Sequence, residues 1–159
     1  MDIKNCSTAL FVKDIEISKR FYADILSLKI ELDFGKNVIF KNGPTIWEIN
    51  EKHIIPSTLG LDKLTDNSVV RMEIYFETEN LMQVVEKLKS NNVKFLHEVH
   101  EESWGQRTIR FFDPDNHLIE IGESMKQFVK RFYKQGMTIE QVSARTSVPV
   151  EEVKKLIFA

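Results

Sequence analysis

The sequence predicts an α+β protein: two copies of one strand–helix–strand–strand–strand module, followed by a C-terminal helical hairpin. Two observations carry this. Runs that alternate with period 2 and amphipathic segments with a period near 3.6 recur in the same order in both halves of the chain, with glycine, proline and asparagine at the joints. The order repeats after about 60 to 70 residues, as an internal duplication would. Beyond Ser124 only the helical period remains.

The first module spans residues 1–50. Thr8, Leu10 and Val12 alternate with Ser7, Ala9 and Phe11, which suits a strand with two unlike faces. Asp14 is a good helix N-cap, and Ile17, Phe21 and Ile25 recur at four-residue spacing behind it. Three short strands follow at Leu28–Phe34, Asn37–Lys41 and Thr45–Ile49, divided by Gly35 and by Asn42-Gly43-Pro44. The polar stretch Asn50–Ser68 shows no clean period and is expected to be a linker or a cavity lid.

The second module spans residues 69–123. Val70–Phe76 alternates, Asn80 with Gln83 forms a capping-box pattern, and Leu81, Val84, Val85 and Leu88 make an amphipathic helix that Asn91-Asn92 ends. Val93–Glu98, Gln106–Phe112 and Leu118–Gly122 supply three more strands. In the last of these, Glu120 shares a face with Leu118 and Gly122, while Ile119 and Ile121 take the other.

Composition sets limits on function. A chain of 159 residues, 42% hydrophobic and 29% charged, can bury one substantial core. No run approaches the roughly 18 apolar residues of a membrane span and no signal-like leader is present, so a cytoplasmic protein without membrane contact is expected. The single cysteine, Cys6, has no internal disulfide partner and reads as a small buried hydrophobe. The net charge of −2 is unevenly spread. Residues 125–159 hold seven basic and three acidic side chains, so the tail is cationic and the remainder acidic. Such a tail can dock on the acidic body or meet nucleic acid.

The pieces ALFVKDIEISKRFYADILSLKI and WGQRTIRFFDPDNHLIEI resemble the two ends of a vicinal oxygen chelate domain, the glyoxalase/bleomycin-resistance fold, over residues 5–123. The resemblance implies that the paired βαβββ modules curl a sheet around a cavity, within one chain or across a homodimer. It also implies a small-molecule ligand, with or without a divalent metal. Carried over position by position, the metal positions fall on Ser7, Glu48, Glu73 and Glu120. Histidine is absent from both first-strand positions, so an oxygen-only set of Glu48, Glu73 and Glu120 would favour Mn²⁺ or Mg²⁺. As an enzyme, the resemblance implies a metal-dependent lyase or isomerase, with Glu120 or Glu48 exchanging protons with substrate.

Without a metal, converging carboxylates need cations, and Arg71 and Arg110 are the local candidates. The phase of Arg110 is open, because Thr108, Arg110 and Phe112 and the intervening Arg107, Ile109 and Phe111 both mix polar with apolar residues. Carboxylates beside Tyr75, Trp104 and Phe34 would suit a cationic, partly aromatic ligand. His97 and His100, three apart on an extended segment, are expected on opposite faces. His117, after the Asp113-Pro114-Asp115-Asn116 turn, is expected in solvent, and His53 shows no partner. No glycine-flanked serine accompanies the histidines, so a nucleophilic triad is not inferred.

The tail, residues 124–159, opens with a Ser124/Gln127 capping pattern and an apolar stripe of Met125, Phe128, Val129 and Phe132. Gly136 stops that helix, Thr138 with Gln141 begins a second, and Pro149 begins a third. The segment GMTIEQVSARTSVPVEEVKKLI is similar to helix-turn-helix hairpins, which leaves a ligand-sensing DNA-binding regulator as an alternative. Glu151 and Glu152 at the start of the last helix would repel phosphates, so packing or dimerisation is the favoured role.

Overall fold

The computed structural model describes residues 8–50, 52, 54–65 and 72–158; Cys6, Ser7, His53 and Arg71 lie outside the described residues. The chain divides into two compact units, residues 1–71 with Asp113–His117, and Met72–Phe112 with Leu118 onward.

In the first unit, β1 (Ala9–Val12) leads into α1 (Ile15–Arg20), which continues as a π-helical turn, Phe21–Ile25, and then into β2 (Ile30–Asp33), β3 (Asn37–Phe40) and β4 (Thr45–Glu48). The strand order is β1-β4-β3-β2, with β1 parallel to β4 and the other pairings antiparallel. The Asp14 carboxylate caps α1 by accepting from the amides of Glu16 and Ile17. The buried helical residues are Ile15, Ser18, Phe21 and Tyr22, and Ile17 is 55% exposed. The expected stripe of Ile17, Phe21 and Ile25 is therefore corrected: the buried face runs through Ile15, Ser18 and Tyr22 at three- and four-residue spacing, with Phe21 at its edge, and Ile17 lies off it. The stretch after β4 is not irregular throughout, since α2 (Ile54–Leu59) and α3 (Leu61–Thr65) occupy part of it. Helices of one to two turns are too short to show a period.

The turn Asp113–His117 belongs to this unit and is knitted into it. Asp113 Oδ1 accepts from the amides of Asp115 and His117, while Oδ2 accepts from the Tyr22 hydroxyl at 2.8 Å and meets His117 Nδ1 at 2.8 Å. Asp115 accepts from the Lys13 amide and the Ser18 hydroxyl. His117 is thus a half-buried ion-pair partner and not the solvated side chain expected. The pairing is local, but the groups that draw the turn into the first unit, Tyr22 on Asp113 and Lys13 and Ser18 on Asp115, are 91 to 102 residues away, and the sequence does not show them.

In the second unit, β5 (Glu73–Thr78), α4 (Leu81–Ser90), β6 (Phe95–Glu101), β7 (Arg107–Phe112) and β8 (Leu118–Glu123) repeat the module. The sheet runs β5-β8-β7-β6, with β5 parallel to β8. β5 and β8 are thereby neighbours, which brings Glu73 and Glu120 onto adjacent strands. Ile109, Phe111 and Ile119 are fully buried on the face that packs with α4 through Leu81, Val85 and Leu88. Burial of each such side chain contributes about 1.5–3 kcal/mol. Asn80 caps α4 through the Gln83 amide, but the Gln83 side chain returns to the Asn80 side chain and leaves the reciprocal box unmade.

The tail forms α5 (Met125–Lys134), α6 (Ile139–Thr146) and α7 (Val150–Phe158), with their own core of Phe128, Val129, Phe132, Val142, Val148 and Val153. Ser124 caps α5 while Gln127 turns to Glu79; Thr138 and Gln141 complete a full capping box at α6. The basic excess of the tail is spent partly on the acidic sheet. Arg131 grips Glu123 with two nitrogens and donates to the Gly105 carbonyl at 2.6 Å, and Arg145 pairs with Glu101 at 3.0 Å.

Candidate functional site

One face of the second sheet carries Glu73, Tyr75 and Glu77 from β5, Glu120 and Gly122 from β8, and Thr108 and Arg110 from β7. The pairing resolves the phase of Arg110: its register partner is Glu120, and residues opposed across a ladder share a face. The guanidinium gathers three carboxylates. Nε bonds Glu73 at 3.1 Å, Nη1 bonds Glu102 at 2.9 Å, and Nη2 pairs with Glu120, which is 4% exposed. Burial, reinforced by Glu73 and Glu102, pushes the Glu120 carboxyl above its ordinary range against the pull of Arg110. Burial acts upward on Glu102 too, but hydrogen bonds from Arg110 and Thr108 prevail and hold it low.

His97 is the register partner of Arg110, and its Nε2 lies 3.3 Å from Nη1. The register slips between His97 and His100, so the two rings come within 5.9 Å of each other in an edge-on arrangement. The expectation that they point apart is corrected; a bulge inverts the alternation that a regular strand would impose.

Beside this cluster runs a hydrogen-bond relay. Trp104 Nε1 donates to Gln106 Oε1 at 3.1 Å, Gln106 Nε2 donates to the Tyr75 hydroxyl at 2.8 Å and to the Glu123 carbonyl, and Tyr75 donates to Glu77 at 3.1 Å. Burial pushes the Tyr75 hydroxyl up to about 12. The relay forms one wall of a cavity of about 560 Å³. Met125 and Phe128 of α5 and residues 146–149, Glu151, Glu152 and Lys155 of the tail form the others.

Of the residues singled out in the sequence, the structure unites Glu73, Glu120 and Arg110, and sets Tyr75 and Trp104 on the cavity. Glu48 belongs to the first unit, where its carboxylate caps α1 through the Ile15 amide at 3.0 Å and pairs with Lys36. These contacts, Lys36 foremost, hold it below the ordinary carboxylate range. Ser7 and Arg71 lie outside the described residues. Glu102, Gln106, His97 and the tail glutamates were missed. Glu102 and Gln106 sit in the loop before β7, which has no period; only the aromatic Trp104 between them marks the spot.

As a donor set for a divalent ion the arrangement fits poorly. Glu73 and Glu120 converge on a fixed guanidinium, and Glu48 is engaged by an amide and an ammonium group. A metal would have to displace Arg110 before gaining these oxygens. Among the described residues, no three histidine, cysteine, aspartate or glutamate side chains are grouped to hold one.

A split βαβββ duplication with polar side chains gathered on one sheet face defines a protein of the glyoxalase type. The family model of the glyoxalase-like domain matches residues 6–126, and the chain belongs to that family, within the vicinal oxygen chelate superfamily. It is 29% identical over 124 residues to a metallothiol transferase FosB of Staphylococcus saprophyticus, covering 78% of this chain and 79% of the relative. A protein of unknown function from Agrobacterium tumefaciens is 34% identical with a TM-score of 0.64, over 79% of this chain and 97% of that one. The fosfomycin resistance protein FosX of Mesorhizobium loti shares the fold, with a TM-score of 0.55 at 15% identity over 79% and 95% of the two chains. The family match ends in the first turn of α5, so most of the tail is additional to it. No helix among the described residues is long and apolar enough to cross a membrane.

Proposed function

We propose that the protein binds a small organic molecule in the cavity of its second unit, with the Arg110 cluster as the rigid polar floor of the adjoining sheet face. The observation that supports this reading is the cavity itself. Its volume of about 560 Å³ lies within the usual range for ligand sites, and it joins three aromatic side chains, Tyr75, Trp104 and Phe128, to a small set of fixed polar atoms. The Arg110 network holds that face stiff, because one guanidinium ties together three carboxylates from β5, β8 and the loop before β7.

A thermal-shift screen of cationic, neutral and anionic compounds tests the reading. At least one class is expected to raise the unfolding midpoint with dose, since a ligand bound only to the native state stabilises by mass action. The shift should vanish in Trp104→Ala and in Tyr75→Ala. No shift with any class, or shifts indifferent to both variants, would refute it.

A metal-dependent group transfer or lyase reaction is the second reading, favoured by the name of the staphylococcal relatives, metallothiol transferase. Calorimetric titration with Mn²⁺, Mg²⁺, Ni²⁺ and Zn²⁺ decides it. Stoichiometric binding lost in Glu73→Ala/Glu120→Ala supports this second reading, and no binding removes it.

A further inference from the structure

The tail supplies more than half of the residues around the cavity, yet most of it lies beyond the matched domain. What the cavity offers a ligand can be read from where its hydrogens point. The donors of Trp104, Gln106 and Tyr75 are all directed at protein acceptors, and the relay ends on the Glu77 carboxylate. The Thr146 hydroxyl donates to the Val142 carbonyl at 2.7 Å. The relay therefore presents lone pairs of a carboxylate to the cavity, and its N–H and O–H groups are consumed.

The charges agree. Glu77 from the sheet and Glu151 and Glu152 from the first turn of α7 face one cation, Lys155, so the lining carries a formal excess of two negative charges. Glu151 pairs with Lys154 at 2.8 Å and Glu152 with Lys155 at 3.1 Å, but both pairs are solvent-exposed, and such pairs bind weakly. The positive end of the α7 dipole, which would otherwise draw an anion, is offset by the charges of these two glutamates in its first turn. The same lining includes Trp104, Tyr75, Met125, Phe128, Val148 and Pro149, an apolar and partly aromatic surface.

We infer that α7 is the selectivity wall of this cavity, and that the ligand it admits is an organic cation with a flat apolar body. The inference rests on the reading of the cavity as a small-molecule site. The ring faces of Trp104 and Tyr75 attract the cationic body, and the carboxylates of Glu77, Glu151 and Glu152 balance its charge. An anion of the same shape meets these three carboxylates, and the relay offers it no free donor; the lining leaves it the Ser147 hydroxyl and the glutamate-paired Lys155.

Three compounds of one ring system separate the possibilities: 10-methylacridinium, acridine in its uncharged form, and acridine-9-carboxylate. Binding is read from quenching of Trp104 in the full chain carrying Trp47→Phe, which leaves one tryptophan. The cation is expected to bind at least about tenfold more tightly than the carboxylate, with acridine between them. Glu151→Gln/Glu152→Gln should weaken the cation about tenfold and leave acridine within about twofold, while Lys155→Gln should tighten the cation. Opposite effects from the two tail variants are not produced by a general loosening of the fold, and unfolding midpoints check that each variant remains folded. If the three compounds bind equally, or the carboxylate binds best, the cavity is a ligand site but the charge selection is wrong. If the tail variants change nothing, α7 is not the wall. If none of the three binds, the inference falls, and the reading beneath it stands or falls separately with the thermal-shift screen.

Discussion

Arg110 and Glu120 stand opposite each other on the antiparallel strands β7 and β8, and the same guanidinium that pairs with Glu120 also holds Glu73 and Glu102. The arginine is the common partner of three acids, two of them well shielded from solvent. Removing it leaves like charges facing one another without a counter-ion. Arg110→Met should therefore destabilise the second unit by about 3–5 kcal/mol, read from urea denaturation. Adding Glu120→Gln should recover part of the loss, because the two changes act on one network and are not additive. An Arg110→Met protein as stable as the wild type would show that the cluster contributes nothing to the fold.

Gly105 has a φ of +92°, and a Cβ there would lie 2.4 Å from Phe132 Cε2. Phe132 is also flanked by the guanidinium groups of Arg131 and Arg145 at 4.6 and 5.2 Å, so the ring has little room to retreat. Gly105→Ala should cost about 1–3 kcal/mol through crowding, in addition to its backbone strain. Hydrogen exchange should report the loss first in α5 and α6; unchanged protection there would contradict the docking described.

At Gly122 a Cβ would fall 2.5 Å from Gln106 Nε2 and 3.3 Å from Tyr75 Cε2. The Gln106 amide is the flexible end of a side chain and would swing away, breaking the relay at its centre. Gly122→Ala is expected to keep the fold, measured by circular dichroism, while shifting the Trp104 emission and weakening ligand binding several-fold. Emission and affinity equal to wild type would show that the relay is incidental.

Burial acts to lower the His117 pKa, but the hydrogen bond and charge of Asp113 outweigh it and raise the pKa above the ordinary 6.5. A raised value means that the folded protein holds this proton more tightly than the unfolded chain does. Its contribution to stability is fully present below about pH 6.5 and is lost as the pH rises through the folded value. The difference in unfolding free energy between wild type and His117→Gln should accordingly be largest in mild acid and shrink toward alkaline pH. A difference that is flat or grows with pH would contradict the Asp113 pairing.

The duplication was legible because each module carries two different periods in one order, and because punctuation at Gly35, Asn42-Gly43-Pro44 and Asn91-Asn92 separates them. The face of Glu120 was legible for the same reason, since both its neighbours are isoleucine. Arg110 was not, because either face of β7 mixes polar with apolar residues, and only the pairing with β8 decides. His97 and His100 misled because a register slip breaks the alternation on which any face assignment depends. In α1 a single four-residue spacing starting at Ile17 missed the buried face, which runs through Ile15, Ser18 and Tyr22. The tail read correctly as helices, but its place against the sheet depends on Arg131 with Glu123 and Arg145 with Glu101, pairs that no local spacing announces. Glu48 illustrates the opposite risk: a carboxylate at a family position whose oxygens serve a helix N-terminus and a lysine.

The most direct test of the account is a proton–nitrogen NMR titration of the full chain with 10-methylacridinium. The indole N–H signals of Trp47 and Trp104 report from two different places, of which only Trp104 lines the cavity. A saturable shift of the Trp104 indole together with the Gln106 side-chain amide is expected, with a Trp47 indole that stays in place. A saturating titration that moves Trp47 alone, or no saturable shift of Trp104, would contradict the claim that this cavity is the ligand site.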